Sequence, residues 1–238
     1  MKYIDLPAHV GQKHLSFYLA MEEFVARQLD ESDAFFLWQV RPSVIFGRNQ
    51  SLENEVNASY CRSNGIEMYR RKSGGGCVYA DEQNLMLSYV TSEGNVALAF
   101  NNFINMVVLV LRRLGIEATS TSHNDVLIEG RKVSGTACYC VQGHCIVHAT
   151  LLYDTNMQHM LNAITPSHEK LQAKGIKSVR QRITLLRDYI PQMSIDELKD
   201  FIRQTLCSGQ RQLGASELQA IEEIEQGYLK EEFINIIP

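Results

Sequence analysis

RRKSGGGCVY, at residues 70–79, is the segment around which the other motifs of this sequence are arranged. Its three consecutive glycines carry no side chain, so the backbone can approach a bound group closely, and they permit positive φ angles. Two arginines and a lysine come directly before them. Exposed backbone N–H groups beside fixed cations favour the binding of phosphate or carboxylate. The alternative is a glycine-rich hairpin with solvated basic side chains, because a single glycine run is a weak indicator.

Length and composition limit the classes of protein to consider. A chain of 238 residues can bury a sizeable core, and its 45% hydrophobic and 21% charged residues are ordinary for a globular protein. The net charge of −4 argues against a nucleic-acid-binding protein, which usually carries a basic face. We expect no membrane span, because no apolar run reaches about 18 residues, and residues 1–5 lack the apolar core of a signal peptide. The six cysteines lack small-scaffold spacing and indicate reduced thiols in a cytoplasmic protein.

The hydrophobic pattern predicts an α+β fold in which most of the sheet is antiparallel. Helices are predicted at residues 16–29, 58–63, 96–114, 156–163 and 169–173, and C-terminal helices at about 194–227, the last of them covering 216–226 and ending at Gly227. Strands are predicted at residues 34–40, 43–46, 66–70, 77–79, 85–90, 126–128, 132–135 and 145–153. No linker interrupts this pattern, so we expect residues 1–238 to form one domain without a separate C-terminal accessory domain.

Four motifs, in this order and spacing, carry a family resemblance. They are Arg71-x-Ser73-Gly74-Gly75-Gly76-x-Val78 followed by Asp81 and Asn84; Asn124-Asp125; GRKVSGTA at residues 130–137; and His148-x-Thr150-Leu151-Leu152. KGIKSVR at residues 174–180 and two motifs within residues 19–50 match as well. Together they resemble the lipoate–protein ligases, within the wider group of biotinyl and lipoyl transferases, over about residues 15–207.

The resemblance implies a fold and a reaction. The fold would be a mixed, mostly antiparallel sheet flanked by helices, as in biotin ligases and class II synthetases. The reaction would use ATP, with Mg²⁺, to convert lipoate into lipoyl-AMP. The lipoyl group would then pass to a lysine on a lipoyl domain of a 2-oxoacid dehydrogenase E2 subunit or on the glycine cleavage H protein. No covalent enzyme intermediate would be needed.

The resemblance also implies roles for single residues. Lys132 would be the catalytic group, neutralising charge that develops on the acyl oxygen and phosphate. Asp125 would be a candidate metal ligand. The expected contacts to substrate and adenylate are Arg71, Ser73, Gly74, Gly75, Gly76, Val78, Asn84, Asn124, Asp125, Gly135, Ala137, His148 and Thr150. Without the family match, Lys132 would be read as a surface lysine, His148 as a hydrogen-bonded histidine, and Asn124 with Asp125 as turn formers.

The sequence departs from the family pattern at several places. Ala80 stands where the family has histidine, Gln83 where it has glycine, and Ala149 where it has glycine. Many family members also carry an additional small C-terminal domain that is linked to adenylation. Two explanations are open: a separate accessory polypeptide completes the ligase, or the protein only transfers lipoyl groups from preformed lipoyl-AMP.

Three alternative hypotheses concern a thiol-dependent transferase, a zinc site and a non-catalytic binding module. A thiol-dependent octanoyl or lipoyl transferase would need a nucleophilic cysteine, and none of the six lies at the position expected for one. Zinc bound by Cys138, Cys140 and Cys145 with His144 or His148 is disfavoured, because C-x-C is not the usual ligand spacing and strand alternation separates Cys145 from His144. A non-catalytic module that binds lipoate or biotin would have no use for Lys132.

Overall fold

The computed structural model describes residues 1–28, 33–121, 125–164 and 182–236. Its strands are β1 (Lys2–Asp5), β2 (Ala34–Trp38), β3 (Ser43–Phe46), β4 (Glu67–Arg70), β5 (Val78–Ala80), β6 (Asn84–Thr91), β7 (Ala118–Ser120), β8 (Asp125–Ile128), β9 (Arg131–Val141), β10 (His144–Leu152) and β11 (Gly209–Gln212). Its helices are α1 (Leu15–Gln28), α2 (Leu52–Glu55), α3 (Ala58–Ser63), α4 (Val96–Arg113), α5 (Met157–Ala163), α6 (Ile195–Leu206), α7 (Ala215–Leu229) and α8 (Glu231–Ile234). The predicted helix at residues 169–173, the motif at residues 174–180 and Asn124 lie outside the described residues.

Two sheets form the frame of the protein. The larger has the strand order β11-β1-β2-β6-β10-β9-β8-β7, and the smaller has the order β4-β3-β5. From β2 to β7 every neighbouring pair in the larger sheet is antiparallel, whereas β11, β1 and β2 run parallel. In the smaller sheet, β3 is parallel to β4 and antiparallel to β5. The predicted α+β fold with a mixed, mostly antiparallel sheet flanked by helices is therefore confirmed.

Helix α1 is buried along most of its length, because it lies between one face of the larger sheet and α7. This placement buries two acids, Glu22 and Glu23, which are 0% and 3% exposed. Buried carboxylates need charged or hydrogen-bonding partners. Glu23 obtains them from Lys72, at 2.6 Å, and from Arg27. Glu22 points toward the candidate site described below.

Helix α4 covers the opposite face of the larger sheet. The Asn95 side chain caps its first turn, and Gly115, at φ +80°, follows its end as expected. With 18 residues and a mean hydropathy of 1.4, α4 is long and apolar enough to cross a membrane by length and composition alone. Phe103, Val107 and Leu111 are nevertheless packed onto the sheet within a hydrophobic core. A core helix passes the same test, so this one helix is weak evidence for a membrane span.

The structure corrects several boundaries. Helix α7 continues through Gly227 to Leu229, so the predicted end at Gly227 is wrong. The physical reason is that Tyr228, which is 1% exposed, packs in the core and stabilises the last turn of the helix. Strands β1, β7 and β11 were not predicted. β11 is fully exposed and has no apolar alternation, and its parallel pairing with β1 joins residues more than 200 positions apart. Such a long-range pairing leaves no local pattern in the sequence.

Candidate active site

The glycine segment is folded around a buried arginine. Arg71 is 4% exposed. Its Nε donates to Ser73 Oγ at 3.0 Å, its Nη1 to the Ile45 carbonyl at 3.1 Å, and its Nη2 to the carbonyls of Gly74 and Gly76, each at 2.7 Å. Burial lowers the pKa of Arg71 to about 10, so the guanidinium stays charged near neutral pH. Arg71 therefore both shapes the loop and places a positive charge at its base.

The glycines are needed for two different reasons. Gly75 has a φ of +91°, which is unfavourable for other residues. Its carbonyl packs against Gly47, where an added Cβ would overlap the Gly75 oxygen and lie 3.2 Å from the Gly75 carbonyl carbon. A Cβ at Gly74 or Gly76 would instead meet nothing within 4 Å. The loop thus presents bare backbone toward open space.

Lys132 and Asp125 meet at the wall opposite the loop. Lys132 Nζ lies 2.7 Å from Asp125 Oδ1, and Arg182 Nη2 lies 2.6 Å from Asp125 Oδ2. Asp125 is 7% exposed at its side chain, whereas Lys132 and Arg182 are 24% and 34% exposed. Gly135 makes room for this arrangement, because a Cβ there would lie 2.6 Å from Lys132 Cε. The end of the Lys132 side chain consequently lies over Gly135 on the same strand.

A buried hydrogen-bond chain supports the far side of the site. His148 Nε2 lies 2.7 Å from Ser73 Oγ, and His148 Nδ1 lies 2.9 Å from Glu22 Oε2. Ser88 Oγ donates to Glu22 Oε1 at 2.5 Å, and Trp38 Nε1 donates to Ser88 Oγ at 2.8 Å. Because the Glu22 carboxylate can only accept, His148 Nδ1 carries the proton that faces Glu22, and in that tautomer Nε2 accepts the Ser73 hydroxyl proton. The chain couples the glycine segment to the sheet.

One cavity joins these groups. It has a volume of about 570 Å³ and lies between the smaller sheet and strands β6, β9 and β10. Its polar lining includes Lys132, Asp125, Arg182 and the backbone of Gly75 and Gly76. Its apolar lining includes Leu19, Trp38, Ile45, Val78, Met86, Ala137, Leu152, Met160, Ile164 and Ile183. The cavity therefore suits a molecule with an anionic portion and a hydrophobic portion.

The family model for the lipoyl protein ligase A/B catalytic domain matches residues 14–207. The chain belongs to this family. Lipoate-protein ligase LplJ of Bacillus subtilis is 36% identical over 187 residues, which cover 77% of this chain and 56% of that protein. Lipoate–protein ligase 1 of Staphylococcus aureus is 37% identical over 191 residues, which cover 79% and 58%. The chain thus spans a little over half the length of these two relatives.

A solved structure supports the same fold assignment. It belongs to an archaeal lipoylation system of Thermoplasma acidophilum, described as a bi-partite lipoate protein ligase and its E2 lipoyl domain. The TM-score is 0.85 at 27% identity, and the alignment covers 100% of this chain and 96% of that chain. The structural similarity therefore also covers residues before 14 and after 207, which lie outside the family model.

Most residues predicted from the family motifs come together. The cavity is lined by Arg71, Gly75, Gly76, Val78, Asp125, Lys132, Gly135, Ala137, His148 and Thr150. Ser73 and Gly74 belong to the same loop but contact the cavity only through their neighbours. Asn84 lies behind the wall, where its Nδ2 donates to the Tyr79 carbonyl at 2.9 Å. Asn124 is outside the described residues.

Sequence reasoning missed several lining residues. Trp38 was assigned only to a buried strand, and Arg182 follows the motif at residues 174–180 by two positions. Lys72, which stood out as a cation next to the glycines, instead pairs with Glu23 and lies over the Tyr228 ring. Its ammonium therefore fastens the loop to helices α1 and α7. No local sequence pattern indicated that Trp38 and Arg182 line the cavity or that Lys72 pairs with Glu23.

A cysteine, Cys77, and the predicted metal ligand, Asp125, both line the cavity. Cys77 lines the cavity, but burial raises the pKa of its thiol to about 12, which keeps it protonated and a poor nucleophile. Within the described ranges no group of three or more His, Cys, Asp or Glu side chains could hold a metal ion. Both oxygens of Asp125 already face cations. Among the described residues, Asp125, the predicted metal ligand, is therefore held by two cations and is not grouped with further His, Cys, Asp or Glu ligands.

Proposed function

We propose that this chain carries the catalytic site of a lipoate–protein ligase, which converts lipoate and ATP into lipoyl-AMP and transfers the lipoyl group to a lysine of a lipoyl domain. The observation that carries the proposal is the position of Lys132. Lys132 lines the same cavity as Gly75 and Gly76 of the glycine segment and as the apolar side chains of Leu19, Ile45 and Met86. An acyl adenylate has its reactive carbonyl at the junction of an acyl chain and a phosphate, and this cavity provides a matching junction.

The apolar part of the cavity supports the acyl portion of the substrate. Leu19, Ile45 and Met86 line it together with Trp38, whose ring is fixed by the hydrogen bond of its Nε1 to Ser88. A medium-length acyl chain gains stability by leaving water, at roughly 25 cal/mol per Å² of apolar surface. Ala137, which also lines the cavity, has a small side chain and takes up little of its space.

The polar part supports the phosphate portion. Arg70 and Arg71 are both buried, and their donors go to backbone carbonyls and, from Arg71 Nε, to Ser73 Oγ rather than to carboxylates. Their charges therefore remain available to attract an anion to the bare glycine backbone. Backbone N–H groups next to fixed cations stabilise phosphate without reorganisation.

The proposed reaction has two displacements. The lipoate carboxylate attacks the α-phosphorus of ATP and pyrophosphate leaves, giving lipoyl-AMP. The acceptor lysine amine then attacks the acyl carbon and AMP leaves. Negative charge grows on the acyl oxygen and on the departing phosphate, which is where the ammonium of Lys132 is placed to act. Removing one such donor costs about 10²–10³ in rate in comparable enzymes.

Mg²⁺ remains a prediction of the family resemblance. Because the described residues offer no carboxylate cage for it, we place it with the ATP phosphates, where this ion is usually bound. Cytoplasmic location also remains a prediction, as do the E2 lipoyl domains and the glycine cleavage H protein as acceptors. The lipoyl domain is supported as a partner by the Thermoplasma acidophilum system, which pairs a ligase with its E2 lipoyl domain.

A second candidate is a lipoyltransferase that needs preformed lipoyl-AMP. A third candidate is a ligase that a separate accessory polypeptide completes, and the archaeal protein that is described as a bi-partite lipoate protein ligase supports it.

The deciding experiment is mass spectrometry of an apo lipoyl domain after incubation with this protein. One tube contains lipoate, ATP and Mg²⁺, and a second contains lipoyl-AMP. Modification in both tubes supports a complete ligase, and modification only with lipoyl-AMP supports the transferase. If neither tube shows a mass shift, both proposals fail, and an octanoyl-carrier donor then tests the thiol-dependent route. K132A should abolish transfer; a non-catalytic binding module would keep its ligand affinity in that variant.

A further inference from the structure

Arg182 reaches the cavity from a segment that pairs with the catalytic strand. Ile183 forms a parallel bridge with Lys132, and the Thr184 N–H donates to the Lys132 carbonyl oxygen at 2.9 Å. This backbone pairing fixes residues 183 and 184 beside β9. Arg182, which comes directly before them, therefore lies next to Lys132. Arg182 and Lys132 are thus neighbouring cations in the same wall.

Asp125 holds these two cations as a pair. Its two carboxylate oxygens each contact one of them, at 2.7 Å and 2.6 Å. One negative charge against two positive charges leaves the cluster with a net charge of +1, facing the cavity. An anion that enters can therefore be bound by either cation while the other stays paired with Asp125. The planar guanidinium suits two phosphate oxygens at once, whereas an ammonium acts as a point charge.

We propose that Arg182 is a second phosphate-binding side chain of this cavity, positioned by Asp125 and presented beside Lys132. Lys132 acts at the acyl oxygen and the bond that breaks, and Arg182 holds the non-bridging phosphate oxygens of the adenylate. This assignment rests on the acyl-adenylate chemistry proposed above. It predicts that Arg182 distinguishes lipoyl-AMP from free lipoate, since only the former carries the phosphate.

The test compares ligand affinities rather than turnover alone. Binding of lipoyl-AMP and of lipoate to wild type, R182A and R182K is measured by calorimetry. A lost charge-assisted hydrogen bond is worth about 1.5–3 kcal/mol, so R182A should bind lipoyl-AMP about tenfold to a hundredfold more weakly. Its affinity for lipoate should stay within about twofold of wild type. R182K keeps the positive charge but loses the planar guanidinium that can bind two oxygens at once. Its affinity for lipoyl-AMP should therefore lie between those of wild type and R182A.

R131A is the matched control. Arg131 precedes Lys132 on the same strand but is 45% exposed, pairs with Glu129 and does not line the cavity. It should bind both ligands as wild type does. Equal losses for both ligands in R182A, or wild-type lipoyl-AMP affinity in R182A, would overturn the assignment. If R182A fails to fold, R182K decides by the same comparison. Failure of the proposed function is separate, because it appears as absence of transfer by wild type.

A different observation concerns two cysteines on the other face of the sheet. Cys140 on β9 lies directly opposite Cys145 on β10, and the two Sγ atoms are 2.6 Å apart. The hairpin turns at Gln142 and Gly143, with φ angles of 50° and 85°, as in a two-residue primed turn. The pair that flanks such a turn is hydrogen-bonded, so the next pair, Cys140 and Cys145, is non-hydrogen-bonded. Side chains lie closest in that kind of pair.

Independently of the proposed function, we infer that Cys140 and Cys145 are a thiol-modification site that low-molecular-weight disulfides convert into a cross-strand disulfide. Cys140 is exposed and Cys145 is buried, so the reagent reaches Cys140 first. The Cys140 thiolate attacks the reagent disulfide and releases one thiol. The Cys145 sulfur then attacks the mixed disulfide at Cys140 and releases the second thiol. The protein loses two electrons and two protons, and the two released thiols carry them.

The test is treatment of the full chain with oxidised glutathione, followed by alkylation and intact-mass analysis. Wild type should lose two hydrogen atoms and two alkylation sites, with the bond located between residues 140 and 145 by fragmentation. C145S should instead stop at a glutathionyl adduct on Cys140. C138S should behave as wild type, although Cys138 lies on the same face of β9. A disulfide that includes Cys138, or stable glutathionyl adducts on wild type, would overturn the inference, as would no reaction at either cysteine.

Discussion

Gly135 and the end of the Lys132 side chain share one space in the cavity wall: a Cβ at position 135 would lie 2.6 Å from Lys132 Cε and closer still to Nζ. The absence of a side chain at Gly135 therefore allows the Lys132 side chain to adopt its position. Its φ is not in the left-handed region, so the requirement comes from this contact and not from backbone conformation.

G135A should separate activity from stability. The new methyl group meets the flexible end of a side chain, which can move at little cost, so we expect the free energy of unfolding to change by less than about 1 kcal/mol. Under the proposed function this displaces Lys132 from the acyl oxygen, and a shift of about 1 Å can cost roughly 10²-fold in rate. The measurement pairs chemical denaturation with lipoyl transfer from lipoyl-AMP.

G209A provides the matched control for that variant. Gly209 lies on exposed strand β11, where a Cβ would make only an ordinary 3.8 Å contact with Lys2 Cγ. Both stability and transfer should stay close to wild type. Full transfer activity in G135A would contradict the role assigned to the Gly135–Lys132 contact.

The candidate site was predicted from the ordered family motifs and not from single residues, because Lys132 alone reads as a surface lysine and His148 alone as a hydrogen-bonded histidine. The glycine run was the one local signal, and a single glycine run is a weak indicator. The assembly of the site residues around one cavity follows from β9 pairing with both β8 and β10. Those pairings bring Asp125 opposite Gly135 and Ala137 opposite His148.

Long-range partners were not predictable in the same way. Arg182 pairs with Asp125 from a position 57 residues away, and Glu22 reaches His148 across 126 residues. Arg70 reads as a surface cation in the sequence, yet it is 1% exposed. A charged side chain enters the interior only where partners converge from distant segments, and such convergence leaves no spacing pattern.

G47A tests whether the glycine segment needs its close backbone contact. The added Cβ would overlap the Gly75 carbonyl, and backbone on both sides limits how far either can move. We expect a loss of about 1–3 kcal/mol in the free energy of unfolding from overpacking, together with weaker binding of lipoyl-AMP. G11A is the control, since a Cβ at Gly11 meets nothing within 4 Å. Unchanged stability and binding in G47A would show that the contact is dispensable.

Glu23 should make stability depend on pH in the acid range. Burial alone would raise the pKa of Glu23, but hydrogen bonds from Lys72 and Arg27 lower it below the ordinary value of 4.5. A depressed folded-state pKa means that the stabilisation is fully present above about pH 4.5 and is lost as pH falls through the folded-state pKa. The melting temperature of wild type should therefore exceed that of E23Q at neutral pH.

The difference between wild type and E23Q should shrink as the pH of the melts is lowered from about 7 to about 3. E222Q is the comparison, because Glu222 pairs with Lys13 at the surface, where ion pairs contribute about 0–1 kcal/mol. Its melting temperature should stay near that of wild type throughout. A wild-type advantage over E23Q that grows toward low pH would contradict the assigned sign.

Arg70 should be needed to keep the C-terminal residues on the loop that adjoins the glycine segment. Its Nε and Nη2 donate to the carbonyls of Ile234 and Ile236 at 3.1 and 2.7 Å, and its Nη1 donates to those of Arg48 and Gln50, both at 2.8 Å. A lysine ammonium has three donors and cannot span these acceptors. R70K should leave the buried contact with the Gln50 carbonyl unmade and the other acceptors, which water can reach, without their partner. An unpaired buried carbonyl costs about 1–3 kcal/mol, so we expect destabilisation of about that size in denaturant.

Limited proteolysis supplies a second readout for R70K, since a released α8 should be cleaved faster than in wild type. Gln50 lines the cavity, so lipoyl-AMP should also bind more weakly once the loop at residues 47–50 loses its partner. R62A, which removes an exposed arginine on α3, should change stability by no more than about 0.5 kcal/mol. Wild-type stability and wild-type cleavage rates in R70K would mean that α8 is held by its apolar contacts alone, and that Arg70 serves only as a buried charge behind the glycines.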